Sequence, residues 1–210
     1  MWSAFMKLNP FILALVFLTV GALTSPAHAL FETRVTYGML ANNPDLDPLC
    51  PTCAAETPSV SNAYGLGADA ILTIPFPFVP GVGLRYENMS FTTSGIDYTM
   101  DYTRTALLIN WRPIDNLFFL GPIFTWGLSH STRLKAEEGG VLKADFSSDS
   151  VKSYSLGLEG GVKLTGFIVG AEVGYLDFRW DGAEDATGNA ATQDINMSGT
   201  YGKIILGFSI

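Results

Sequence analysis

Phe31-Glu32-Thr33-Arg34-Val35-Thr36-Tyr37-Gly38-Met39 alternates without a break. Phe31, Thr33, Val35, Tyr37 and Met39 carry the apolar bulk, and Glu32, Arg34, Thr36 and Gly38 carry the charge and the small side chains. Successive side chains of a β-strand point to opposite faces, so one face of this segment is greasy and the other ionic. Both charges lie on the same face. The pattern then recurs down the chain. Tyr64, Leu66, Ala68, Ala70, Leu72 and Ile74 oppose Gly65, Gly67, Asp69 and Thr73; Val82, Leu84 and Tyr86 oppose Gly83, Arg85 and Glu87; Leu107, Ile109 and Trp111 oppose Arg104, Ala106 and Asn110. A fifth segment sets Phe118, Leu120, Phe124, Trp126 and Leu128 against Gly121, Thr125, Gly127 and Ser129, with Phe119 and Ile123 blurring the contrast and Pro122 lacking a ladder donor. The sixth runs from Ser153 to Leu164 with Glu159 and Lys163 on the polar face, the seventh from Phe167 to Tyr175 with Glu172, and the last from Tyr201 to Ile210 with Lys203. Eight strands are predicted, and the fold class is all-β.

Composition agrees. Of 210 residues 48% are hydrophobic and only 15% charged, which excludes a disordered chain, and 22 Gly with 11 Pro suit strands and turns. The net charge of -8 argues against nucleic acid, whose phosphates need a basic face. Upstream of the strands, Lys7, the apolar run Phe11–Thr24 and the small-residue exit Ser25-Pro26-Ala27-His28-Ala29 predict a secretory signal peptide over residues 1–29, leaving 30–210 as one barrel domain.

Connections alternate in length. Those after even strands are short (Pro75–Pro80, Arg112–Asn116, Thr165–Gly166); those after odd strands (Ala41–Val60, Thr92–Tyr98, His130–Asp149, Trp180–Asn196) are mostly longer and polar. Short turns on one side, loops on the other and an even count predict an antiparallel transmembrane β-barrel with both ends on the turn side. Sorting strand charges by face puts Glu32, Asp69, Glu87, Glu159 and Glu172 together with Arg34, Arg85, Arg104, Lys163 and Lys203, five of each sign, and none on the greasy face. A soluble, lipocalin-like barrel would turn this face to water, but ten charges among so many glycines fall short of a soluble surface, which is roughly 25–35% charged. With the greasy face in lipid, the ten charges fill a lumen that eight strands leave only wide enough for side chains, and their balance permits pairing. A plugged lumen is expected. Trp111 and Phe118 on the turn side and Tyr37, Tyr64, Tyr86, Tyr154 and Tyr175 on the loop side are expected as interfacial girdles.

In this architecture the chain resembles the small outer-membrane β-barrel proteins of Gram-negative bacteria, the OmpA-like transmembrane domain and its eight-stranded relatives, over essentially all of Leu30–Ile210. The resemblance implies that Tyr201, Ile204, Leu206, Phe208 and Ile210 form a closing assembly signal read by the outer-membrane insertion machinery, although the chain ends on Ile210 and not on an aromatic. No peptidoglycan-binding domain is expected after it.

Three features invite chemistry. Cys50 and Cys53, a CxxC in the first long loop, are expected to form a local disulfide in an oxidising compartment, since no βαβ context for a redox pair is visible. His130, flanked by Ser129 and Ser131, would suit a rim-located lipid A-modifying enzyme, but neighbours in a strand point apart, so Ser129 and His130 are not expected to meet. Asp45 with Asp47, and Asp181 with Glu184 and Asp185, are expected to solvate loops, with Ca²⁺ or Mg²⁺ bridging to lipopolysaccharide as the alternative. No catalytic residue, metal site or cofactor is predicted. The expected protein is a non-enzymatic monomer in the outer membrane, touching lipid, lipopolysaccharide and the assembly machinery, and serving envelope integrity or surface interaction through acidic loops. The alternative to it is a narrow gated channel in which Arg85, Glu87 and Arg104 re-pair.

Overall fold

The computed structural model describes residues 31–41, 63–73, 79–92, 97–138, 141–148, 151–182, 184–185 and 195–210. The expected leader, Cys50, Cys53, Asp45 and Asp47 lie outside them. Twelve strand segments occur among the described residues: β1 (Phe31–Ala41), β2 (Ala63–Leu72), β3 (Gly81–Thr92), β4 (Asp97–Asn110), β5 (Ile114–Asp115), β6 (Phe118–Glu138), β7 (Val141–Ser148), β8 (Val151–Leu164), β9 (Phe167–Trp180), β10 (Glu184–Asp185), β11 (Ile195–Asn196) and β12 (Gly199–Ser209). Eight of them close a ring in the order β1-β2-β3-β4-β6-β8-β9-β12, each antiparallel to its neighbours. The ring shuts where β1 meets β12, from Glu32 opposite Ser209 to Ala41 opposite Thr200, so every barrel strand is paired on both sides. Between β8 and β9 the turn is Thr165-Gly166, both at positive φ (46° and 91°), the primed hairpin geometry that matches strand twist.

The greasy face points outward. Thirty large apolar side chains are exposed among the described residues, including Leu66, Leu84, Leu158, Val173 and Leu206, far more than the patch a water-soluble monomer presents. The soluble alternative therefore falls. On β6 the outward residues Phe118, Leu120, Trp126 and Leu128 cover ten steps of strand, and at about 3.4 Å per residue with a tilt near 40° they span roughly 25 Å, the height of a membrane barrel's apolar band. Phe167 and Phe208 meet edge-on at the turn side, their ring centroids 4.6 Å apart.

Three expectations need correction. The segment His130–Asp149 is not an irregular loop: β6 runs on to Glu138 and returns as β7, with Thr132 opposite Ser148 and Lys135 opposite Asp145. Above the lipid the outward face turns polar, with Ser131 and Arg133 exposed, so the contrast between faces vanishes from the sequence while the strand continues. Second, Ser129 is not on the inner face. Between Ala106 opposite Gly127 and Thr105 opposite Ser129, Leu128 has no partner, and this bulge shifts parity so that Ser129 is exposed and His130 buried. Third, the interior is not only small and charged: Ile71, Leu108 and Ile123 form one buried apolar cluster and Phe119, Ile168 and Ile205 another.

Candidate functional site

The lumen holds the protein's concentrated chemistry, and two cooperating ion clusters divide it. In the first, Glu32 and Glu159 are gripped from both sides. Arg34 donates from Nη2 to Glu32 Oε2 (2.6 Å) and from Nη1 to Glu159 Oε2 (2.7 Å). Arg112 donates from Nε to Glu159 Oε1 (2.6 Å) and from Nη1 to Glu32 Oε1 (2.8 Å), and Asn110 Nδ2 adds a bond to Glu159 Oε1 at 3.0 Å. Lys163 Nζ lies 3.0 Å from Glu32 Oε1 and 2.5 Å from Asp115 Oδ1. Three carboxylates face three cations.

In the second cluster Arg85 is central. It donates from Nε and Nη2 to the two oxygens of Asp69 (2.8 and 2.9 Å) and from Nη1 and Nη2 to the two oxygens of Glu172 (2.8 and 2.7 Å). Tyr201 donates to Glu172 Oε1 at 2.7 Å. Glu87 accepts from Lys203 and, at 3.1 Å, from Arg104, whose Nη2 reaches Thr125 Oγ1 (2.7 Å); Thr125 and Ser155 share a further hydrogen bond. Here too the charge is three against three. Both oxygens of Glu32, Asp69, Glu87, Glu159 and Glu172 have a cationic partner, the condition under which burying an ion is tolerable.

Register sets some of these pairs, Asp69 with Arg85 and Glu87 with Arg104 being direct cross-strand partners, but not all of them. Arg34 sits opposite Asp69 in the β1–β2 ladder yet bonds Glu32 and Glu159, leaving Asp69 to Arg85. Glu159 and Glu172 are direct cross-strand partners, an arrangement that like charges disfavour; each turns into a different cluster, and that divergence separates the two. Arg112 and Asp115 were missed because the sequence places them in a short turn. The one legible signal was proximity to Asn110, which already faces inward.

Glycines make the room. Gly157 opposes Gly174 across β8 and β9, and Gly161 opposes Gly170. A Cβ on Gly157 or Gly174 would lie 2.6–2.7 Å from the Tyr201 hydroxyl, and one on Gly161 or Gly170 would lie 2.8 Å from the Phe119 ring. The two pairs are sockets for those aromatics. Arg112 in turn stacks over Phe119, 4.4 Å from the ring centroid.

Toward the loop side the interior becomes apolar, with Leu40, Met89, Met100, Tyr102, Leu134, Phe146, Leu176, Phe178, Trp180 and Met197 in one buried cluster. His130 lies against it, bonded through Nε2 to Ser153 Oγ at 2.8 Å, with its ring stacked beside Tyr102 at 6.4 Å. The base thus meets a serine from another strand and not its neighbour Ser129. Among the described residues no carboxylate contacts this pair, so the triad geometry is incomplete. In the loops, Asp181 is paired with Lys152 at 3.0 Å, whereas Glu184 and Asp185 pair in β10 with β7. Of the closing segment, Ile204, Leu206, Phe208 and Ile210 point outward and Tyr201 inward.

No family model matches the chain, and no curated protein does. Solved structures do. A major outer membrane protein from Thermus thermophilus superposes with a TM-score of 0.52 at 11% identity, covering 86% of this chain and 99% of that one. The outer membrane protein OprG from Pseudomonas aeruginosa gives 0.51 at 15% identity, covering 87% and 97%. Neisserial surface protein A gives 0.46 at 10% identity, covering 88% and 100%. At these identities the likeness is one of fold. That fold is the closed eight-stranded barrel of outer-membrane proteins, and the outer membrane is the location that its lipid-facing surface requires.

Proposed function

We propose that this protein is a non-enzymatic, monomeric barrel with a plugged lumen, contributing to envelope integrity or to surface interactions through its loops. The observation that carries the reading is the arrangement of Arg85. Bonded to Asp69 on one side and Glu172 on the other, it spans the barrel's width, and with the Arg34–Glu159 cluster it leaves little space for a hydrated ion. The void bounded by Leu40, Glu87, Met89, Arg104, Ser155, Leu176, Tyr201 and Lys203 measures about 10 Å³, the least that one water needs. Opening a path would break charge-assisted bonds in a water-poor interior. Lipid and lipopolysaccharide against the aromatic belts, and the insertion machinery during assembly, are the proposed partners.

Planar-bilayer recording of the purified barrel tests this reading. Silence at neutral pH is expected, and well-defined single-channel steps would replace it with the gated-channel alternative.

A further inference from the structure

Six methionines occur in the chain, and four of them, Met39, Met89, Met100 and Met197, lie beyond the leader. Met39 faces lipid. The other three come from β3, β4 and the segment just after β11, and all three line one cavity at the loop end of the lumen. Leu40, Ala63, Tyr102 and Phe178 complete its wall, with Tyr102 and Phe178 meeting edge-on at 4.5 Å. Apart from the Tyr102 phenol, no lining side chain carries a strong hydrogen-bonding group, so the chamber offers little to water. Its volume of about 20 Å³ is that of one water-sized body, too small for an organic molecule.

Thioethers are soft, polarisable donors that prefer soft ions. A hard divalent cation would need oxygen ligands, which this wall lacks apart from one phenol. An ion that binds here must be small, monovalent and content with sulfur and aromatic faces. We propose that Met89, Met100 and Met197 form a binding site for one soft monovalent metal ion, copper(I) or its analogue silver(I). Three of the four methionines after residue 29 line this one void within the buried apolar cluster at the loop end. The site is independent of the plugged-lumen reading, because it lies on the loop side of the ion clusters.

Silver(I) is the probe, added in chloride-free buffer to the full mature barrel carrying C50S and C53S, which removes the cysteine sulfurs. With ¹³C-methyl methionine labelling, the signals of Met89, Met100 and Met197 are expected to move together and saturate at one silver per barrel while Met39 stays in place. Met100→Leu, which keeps the volume, is expected to weaken binding tenfold or more while native heat-modifiable mobility is retained. Absence of shifts, movement of Met39 with the rest, binding at His130 alone, or unchanged affinity in Met100→Leu would each overturn the proposal. If Met100→Leu fails to assemble, Met89→Leu and Met197→Leu are read by the same criteria.

Discussion

Arg85 on β3 and Glu172 on β9 stand four strands apart in either direction around the ring, and their side chains still meet through two hydrogen bonds of 2.8 and 2.7 Å. A contact across the full diameter is possible only because eight strands enclose so narrow a lumen. It ties the two halves of the wall together at a point that no backbone ladder reaches.

Replacing Arg85 by Met removes four charge-assisted bonds and leaves Asp69 and Glu172 buried without their main partner. Breaking a buried pair in this way costs roughly 3–5 kcal/mol. Urea unfolding in lipid vesicles should show this loss. Adding D69N and E172Q to R85M should recover part of it, because the orphaned charges go.

Gly174→Ala is expected to weaken the barrel by roughly 1–3 kcal/mol through overpacking. Its Cβ would come within 2.5 Å of the Leu156 carbonyl oxygen and 2.7 Å of the Tyr201 hydroxyl. Gly202→Ala is the control, since a Cβ there meets nothing within 4 Å. Equal stability of the two variants would contradict the socket assignment.

Tyr201→Phe keeps the ring in its socket and deletes the hydroxyl's bond to Glu172 together with its interaction with Ser155. Hydrogen bonds to charged groups contribute roughly 1.5–3 kcal/mol, so a loss of that order is expected in the same unfolding assay. If Tyr201 acts chiefly in recognition by the assembly machinery, the variant would instead insert more slowly with unchanged final stability.

The β6–β7 hairpin beyond the apolar band should respond to acid. Arg133 holds the Asp145 carboxyl below its ordinary range, by a direct hydrogen bond first and by its charge after that, with bonds of 2.9 and 2.7 Å. A depressed carboxylate contributes stability above its unfolded pKa and loses it as pH falls through the folded value. Hydrogen exchange along the Thr132–Ser148 ladder should therefore keep its full protection at neutral pH and lose some below the usual aspartate range. Asp145→Asn should abolish that dependence, and salt should weaken it, because the pair is exposed.

Much of this protein was legible in its sequence because a membrane barrel imposes a rule at every residue. Lipid outside and a narrow core inside force period-two alternation, and Glu32 with Arg34, Arg85 with Glu87, and Glu159 with Lys163 each share a parity that reveals the inner face. Strand count, the outward face and the lipid belt follow from that local pattern. The rule fails where its cause fails. Above the bilayer both faces can be polar, so the β6–β7 hairpin read as a loop, and a one-residue bulge at Leu128 reversed the parity of Ser129 and His130 without altering composition. Partnership across the lumen belongs to the tertiary structure alone. Strand tilt and ring closure bring Arg34 to Glu159 across 125 residues and carry Arg112 from a turn into the core, because side-chain reach through a closed barrel depends on its width and stagger, which no single strand encodes.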